Sequence, residues 1–137
     1  MKAEELQLKE PDKSFINNNH VYIVDDEPSV RRSIKVLLDS YGFTVIPFSS
    51  SEEFFTSMSN NCKGCLILDI HMPGLDGWDT QHRLKKEGYN LSVIVISANN
   101  NDNYKEKALK AGAFGFLQKP FEDHYLLHMV NQVFNKN

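Results

Sequence analysis

The feature that most constrains this chain is a strict alternation, repeated five times, of a short apolar run and a segment with helical spacing. The first run, Val21-Tyr22-Ile23-Val24, is β-branched and aromatic and stops at Asp25-Asp26. Pro28 suits the first turn of a helix. Val30, Ile34, Leu37, Leu38 and Tyr41 follow at helical spacing, and Gly42 closes that helix. Phe43–Phe48 reads as a second strand. Ser50 and Ser51, ahead of Glu52 and Glu53, mark a helix start, and Phe54, Phe55 and Met58 give it an apolar face. Cys65–Leu68 is a buried strand ending at Asp69, followed by a helix over Asp76–Glu87 closed by Gly88. Val93–Ile96 is a fourth strand ending at Ser97, followed by a helix over Asp102–Ala111 closed by Gly112. Phe114–Leu117 is a fifth, ending at Lys119-Pro120, and Leu126, Leu127, Val130, Val133 and Phe134 mark the last helix. Alternation of this kind implies an α/β fold, a parallel sheet with helices on both faces. Burial of such strands on both faces explains why their apolar runs are continuous.

Length and charge narrow the function. The 137 residues make room for one domain. The net charge is −3 and Lys/Arg residues form no cluster, which argues against a nucleic-acid-binding surface. The tight apolar runs, such as Cys65–Leu68 and Val93–Ile96, fall far short of the roughly 18 residues of a membrane span. Met1–Glu10 alternates charge with short apolar steps, unlike a signal peptide. Two cysteines make no disulfide framework. A cytoplasmic protein is expected. Residues 1–19 stand apart as an expected flexible extension, with Pro11 stopping any short helix, and residues 20–137 form the domain.

In an open α/β sheet the functional crevice lies outside the carboxyl ends of the strands. Strand one ends in Asp25, Asp26 and Glu27, strand three in Asp69, strand four in Ser97 and strand five in Lys119. Asp25, Asp26 and Asp69 bring three negative charges into one crevice. Like charges this close raise pKa values or demand a cation. Lys119 supplies one positive charge and a divalent ion two. Oxygen-only ligands select a hard cation, and one or two carboxylates with waters suit Mg²⁺. A divalent ion, a lysine and a hydroxyl around one carboxylate describe a phosphoryl-transfer site with the carboxylate attacking phosphorus. Taken singly, each residue has a plainer reading. Asp25-Asp26 can cap the helix at Pro28, Asp69 can be a loop aspartate before Pro73 and Gly74, and Lys119 a solvated lysine. Their joint placement at four strand ends argues against coincidence.

These motifs carry a resemblance. Val-Asp-Asp-Glu-Pro at 24–28, Leu-Asp-Ile-His-Met-Pro-Gly-Leu-Asp-Gly at 68–77, Ile-Ser-Ala at 96–98 and Phe-Leu-Gln-Lys-Pro-Phe at 116–121 resemble the CheY-like receiver domain of two-component response regulators. The resemblance covers about residues 20–135 and looks closest to receivers of regulators with helix-turn-helix output. It implies a single doubly wound (βα)5 flavodoxin-like domain, with a five-stranded parallel sheet in the order 2-1-3-4-5. It implies a regulatory domain rather than an enzyme, catalysing only its own phosphoryl transfer and dephosphorylation. Asp69 matches the aspartate phosphorylated by a histidine kinase or phosphotransfer protein. Asp26 matches the direct Mg²⁺ ligand (Mn²⁺ is the alternative), Asp25 its partner acting through water, and the His71 backbone carbonyl the third protein ligand beside Asp69. The His71 ring is expected to face solvent. Ser97 matches the switch hydroxyl, Lys119 the lysine that pairs with the phosphoryl group, and Phe116 the switch aromatic, expected partly inward without phosphate. The partner-binding face is expected over about 99–135, on a monomer or a phosphorylation-promoted dimer, with no direct contact to nucleic acid or membrane. The Lys119–Pro120 bond is often cis in such domains.

The chain reads either as a stand-alone receiver, toward which Met1 and the extension lean, or as the receiver of a longer DNA-binding regulator or hybrid kinase. A haloacid-dehalogenase-like phosphohydrolase also uses a strand-end aspartate and Mg²⁺, but needs an acid two residues later, where His71 stands. Cys62-Lys63-Gly64-Cys65 has redox-motif spacing but precedes a strand instead of opening a helix. His124 and His128 are four apart on the last helix without an evident third ligand, and read as a surface pair. The chain holds no G-x-G-x-x-G and no P-loop.

Overall fold

A computed structural model describes residues 20–98 and 102–135. Five strands alternate with five helices: β1 (His20–Val24), α1 (Pro28–Ser40), β2 (Thr44–Phe48), α2 (Ser51–Ser57), β3 (Lys63–Asp69), α3 (Gly77–Lys86), β4 (Asn90–Ser97), α4 (Asp102–Lys110), β5 (Gly115–Gln118) and α5 (Asp123–Asn135). The strands form one sheet in the order β2-β1-β3-β4-β5, and every neighbouring pair is parallel. The expected topology is therefore present.

Period-two alternation along the strands splits the core into two layers. Val21, Ile23, Cys65, Ile67, Ile94 and Ile96 pack with Ile34 and Leu38 of α1 and Leu126, Val130 and Val133 of α5. Tyr22, Val24, Leu66, Leu68, Val93 and Val95 pack with Phe54 of α2, Leu84 of α3 and Ala108 of α4. The helix starts follow from short polar side chains. The Ser50 hydroxyl accepts from the Glu53 N–H at 3.0 Å, and Asp76 Oδ1 accepts from the Asp79 N–H at 2.9 Å. Each fixes the first turn of a helix that follows a strand end.

Several boundaries differ from the sequence reading. β3 begins at Lys63 and β4 at Asn90, earlier than their apolar stretches. Lys63 pairs with Asn90, Gly64 with Leu91 and Cys65 with Ser92, so ladder hydrogen bonds extend these strands beyond the burial that periodicity reports. Met58 lies just past α2 in extended backbone, although it still packs against the layer containing Phe54. Lys119–Pro120 is cis. Among the described residues no helix is long and apolar enough to cross a membrane. The expected extension over 1–19 lies outside the described residues.

Candidate functional site

The parallel register brings the carboxyl ends of β1, β3, β4 and β5 to one edge of the sheet. Asp25 directly follows β1, Asp69 is the last residue of β3 and Ser97 the last of β4. Lys119 follows β5, and its N–H donates to the Ser97 carbonyl at 2.7 Å. Carboxylate oxygens of Asp25, Asp26 and Asp69 all lie within 4.8 Å of one another. Asp25 and Ser97 are fully buried and Asp69 nearly so, while Asp26 is exposed.

Each oxygen of the buried carboxylates can be followed. Asp25 Oδ1 accepts from the Glu27 N–H at 2.9 Å, and Asp25 Oδ2 accepts from Lys119 Nζ at 2.9 Å. Both oxygens of Asp25 thus have partners within the protein. Asp69 Oδ1 accepts from the His71 N–H at 3.2 Å, and Asp69 Oδ2 lies 3.6 Å from Lys119 Nζ. Arg31 adds a second cation at the rim and donates to the Asp25 carbonyl at 2.7 Å. The cap reading of Asp25-Asp26 is not what the fold uses. Glu27 occupies the N-cap of α1, and no side chain caps that helix.

Burial, reinforced by the neighbouring Asp25 charge, pushes the Asp69 carboxyl up to about 6, although Lys119 and the His71 N–H pull the other way. Burial works against the Lys119 ammonium, but its hydrogen bond to Asp25 and the Asp25 and Asp69 charges outweigh that and raise its pKa. The carboxylates are therefore short of positive charge, which is the chemistry that recruits a divalent cation. The donor set is oxygen only, as hard cations require.

Phe116 pairs with Val95, and Ser97 with Gln118, so Phe116 lies one step behind Ser97 on the same side of the sheet. Phe116 is half-buried against the α2–α4 layer. His71 is exposed, and its ring lies against Tyr104 of α4. Sequence reasoning missed two contacts here. Glu27 Oε1 lies 3.2 Å from Lys119 Nζ, giving the lysine a further carboxylate partner. Glu52 Oε2 accepts from the Leu75 N–H at 3.0 Å, clipping the loop after Asp69 to α2. Both join residues whose adjacency only the fold creates.

The discounted signals stay discounted. Cys62 is half-buried in the turn before β3, Cys65 is buried within it, and neither forms a disulfide. Burial pushes the Cys62 thiol up, away from a reactive thiolate. His124 Nδ1 sits 3.3 Å from Glu122 Oε1 on the surface. Among the described residues, Asp25, Asp26 and Asp69 are the one group of three potential metal ligands.

Comparison with known proteins agrees with this geometry. The family model of the response regulator receiver domain matches residues 21–131. The chain is 35% identical over 111 residues to the transcriptional regulatory protein FixJ of Bradyrhizobium diazoefficiens, covering 81% of this chain and 54% of that protein. It is 38% identical over 115 residues to the transcriptional regulatory protein TdiR of Thauera aromatica, covering 84% and 51%. The crystal structure of FixJ-N superposes with a TM-score of 0.79 at 31% identity, covering 88% of this chain and 96% of that one. The chain spans about half the length of the curated relatives it matches. With the strand-end carboxylates in place and the family model spanning nearly all of the described residues, the chain belongs to the response regulator receiver domain family.

Proposed function

We propose that this domain is a phosphoacceptor switch that takes a phosphoryl group on Asp69 from a histidine kinase or phosphotransfer protein. The observation that carries the reading is the convergence of Asp25, Asp26 and Asp69 within 4.8 Å, with Lys119 Nζ reaching both buried carboxylates. Asp26, Asp69 and the His71 backbone carbonyl would hold Mg²⁺ (or Mn²⁺) directly, and Asp25 through water. When bound, the ion supplies two positive charges against the carboxylates and the incoming phosphoryl oxygens. An Asp69 oxygen forms the new bond to phosphorus while the phosphorus–nitrogen bond to the donor histidine breaks. The histidine nitrogen keeps the electron pair, and the product is an acyl phosphate. Lys119 follows the charge and pairs with a phosphoryl oxygen. Ser97 turns its hydroxyl to another, and Phe116 fills the space behind it. The face over 99–135 then changes its preference for an output domain or protein target. The transcriptional relatives make gene regulation the favoured output, relayed through a cytoplasmic partner.

Ligand assignment is checked by calorimetry. Mg²⁺ should bind the wild type weakly without phosphate, and Asp26→Ala should lose most of that affinity. Equal affinity in the two proteins would remove Asp26 from the ligand set. The phosphorylated product should be labile to base and hydroxylamine, as acyl phosphates are. A label stable to hydroxylamine would point to another residue type.

A further inference from the structure

We propose that Tyr104 is a positioning residue for the phosphoacceptor site, acting through His71. The inference rests on the phosphoacceptor reading and deepens it. His71 is the residue on which that site depends through its backbone rather than its side chain. Its N–H donates to Asp69 Oδ1 at 3.2 Å, and its carbonyl is the expected third ligand of the ion. The peptide units on both sides of its Cα must therefore be held in place.

The loop that carries His71 is fixed at its two ends. The Ile70 N–H donates to the Ile96 carbonyl at 3.1 Å, and the Gly77 N–H donates to the Ile70 carbonyl at 2.9 Å. Glu52 holds Leu75 at the far end. Between those ties His71 is exposed, and its ring rests on Tyr104, with centroids 5.5 Å apart and planes at 37°.

Tyr104 is itself braced. Its ring meets Trp78 of α3 edge-on, with centroids 5.5 Å apart and planes at 87°. Lys107 Nζ lies over the other partner, 4.2 Å from the centroid of the Trp78 ring. The three rings border a surface cavity of about 450 Å³ beside the loop. This aromatic stack joins α3, α4 and the phosphoacceptor loop. Contact between the His71 and Tyr104 rings limits the rotamers of His71, and with them the backbone angles that aim its N–H and carbonyl at the site.

The test is Mg²⁺ calorimetry on the whole chain without any phosphodonor, combined with Trp78 emission. Tyr104→Leu should weaken Mg²⁺ binding about 2- to 10-fold, the scale of one aromatic contact. Tyr104→Phe keeps the ring and should stay within about twofold of wild type. Adding Tyr104→Leu to His71→Ala should cause no further loss, because the two changes remove one contact. Trp78 emission should respond to Mg²⁺ in wild type and Tyr104→Phe, and lose that response in Tyr104→Leu. A residue that only packs the surface would alter the resting emission and leave the Mg²⁺ response unchanged. Wild-type affinity in Tyr104→Leu, equal losses in the Leu and Phe variants, or losses that multiply in the double variant would each overturn the proposal. The phosphoacceptor reading fails separately, when a protein that binds Mg²⁺ takes up no phosphoryl group.

Discussion

At the scale of single residues, Asp69 sits in surroundings that disfavour its own charge. The Asp69 carboxyl, on a residue only 3% exposed and next to a second buried carboxyl, holds its proton up to about pH 6 against an ordinary value near 3.8. The sign of the consequence follows from linkage. Between about pH 4 and 6 the unfolded chain releases this proton while the folded chain keeps it, so folding stability falls as pH rises through that window. Above it, the metal-free protein carries an ionised group its surroundings disfavour. Asp69→Asn removes that charge and should stabilise the metal-free protein on the order of 2–3 kcal/mol at pH 7.5. The gain should vanish toward pH 4. Urea unfolding of both proteins across pH checks this, and an Asn variant no more stable than wild type at pH 7.5 would contradict it. Mg²⁺ should narrow the difference by stabilising the wild type alone. Lys119 is governed by the same balance. Its hydrogen bonds go to Asp25 at 2.9 Å and Glu27 at 3.2 Å, with Asp69 further off at 3.6 Å, so under the proposed function a phosphoryl group on Asp69 would compete with Glu27 for the ammonium.

Secondary-structure elements convert this local chemistry into positions. Gly77 opens α3 directly against the loop that follows Asp69. A Cβ there would lie 2.5 Å from Ile70 Cα and 3.0 Å from the Asp69 carbonyl oxygen. Gly77→Ala should therefore cost about 1–3 kcal/mol, the usual price of overpacking. It should also slow labelling of Asp69 by displacing the loop. A wild-type urea midpoint would show that the loop yields freely. Coupling along β4 and β5 is tested by Ser97→Ala. Phosphorylation should persist, since Lys119 and the ion still offset charge, while the response of α4 and α5 to beryllofluoride weakens. Equal NMR shift changes in wild type and variant would sink the coupling. The alternation of five strands and five helices and the four strand-end residues were legible because burial and turn residues are local signals, whereas the strand order came only from the family resemblance. Gly42, Gly88 and Gly112, all at positive φ, end their helices where the sequence places them. The early starts of β3 and β4 were not legible, because Lys63 and Asn90 join the sheet by pairing with each other. Nor were Glu27 on Lys119, Glu52 on Leu75 or Tyr104 on His71, since each contact exists only after distant segments meet.

The whole molecule is a two-layered core with its ionisable machinery gathered at one end of the sheet. α1 and α5 cover one face, and α2, α3 and α4 the other. Both faces are therefore closed at the centre, and the crevice at the strand ends is where chemistry can occur. β4 and β5 reach that crevice at Ser97 and Lys119, so under the proposed switch a charge change at Asp69 would be felt at two strand ends at once. The chain covers about half of FixJ and TdiR, and the range matched by the family model, residues 21–131, includes Asp25, Asp26 and Asp69. Under the proposed function Asp69 is the phosphoacceptor. Intact-mass spectrometry after incubation with acetyl phosphate and Mg²⁺ tests it most directly. Wild type should gain the mass of one phosphoryl group, and Asp69→Asn should gain none. Undiminished labelling of Asp69→Asn, or no labelling of a wild type that binds Mg²⁺, would contradict the account.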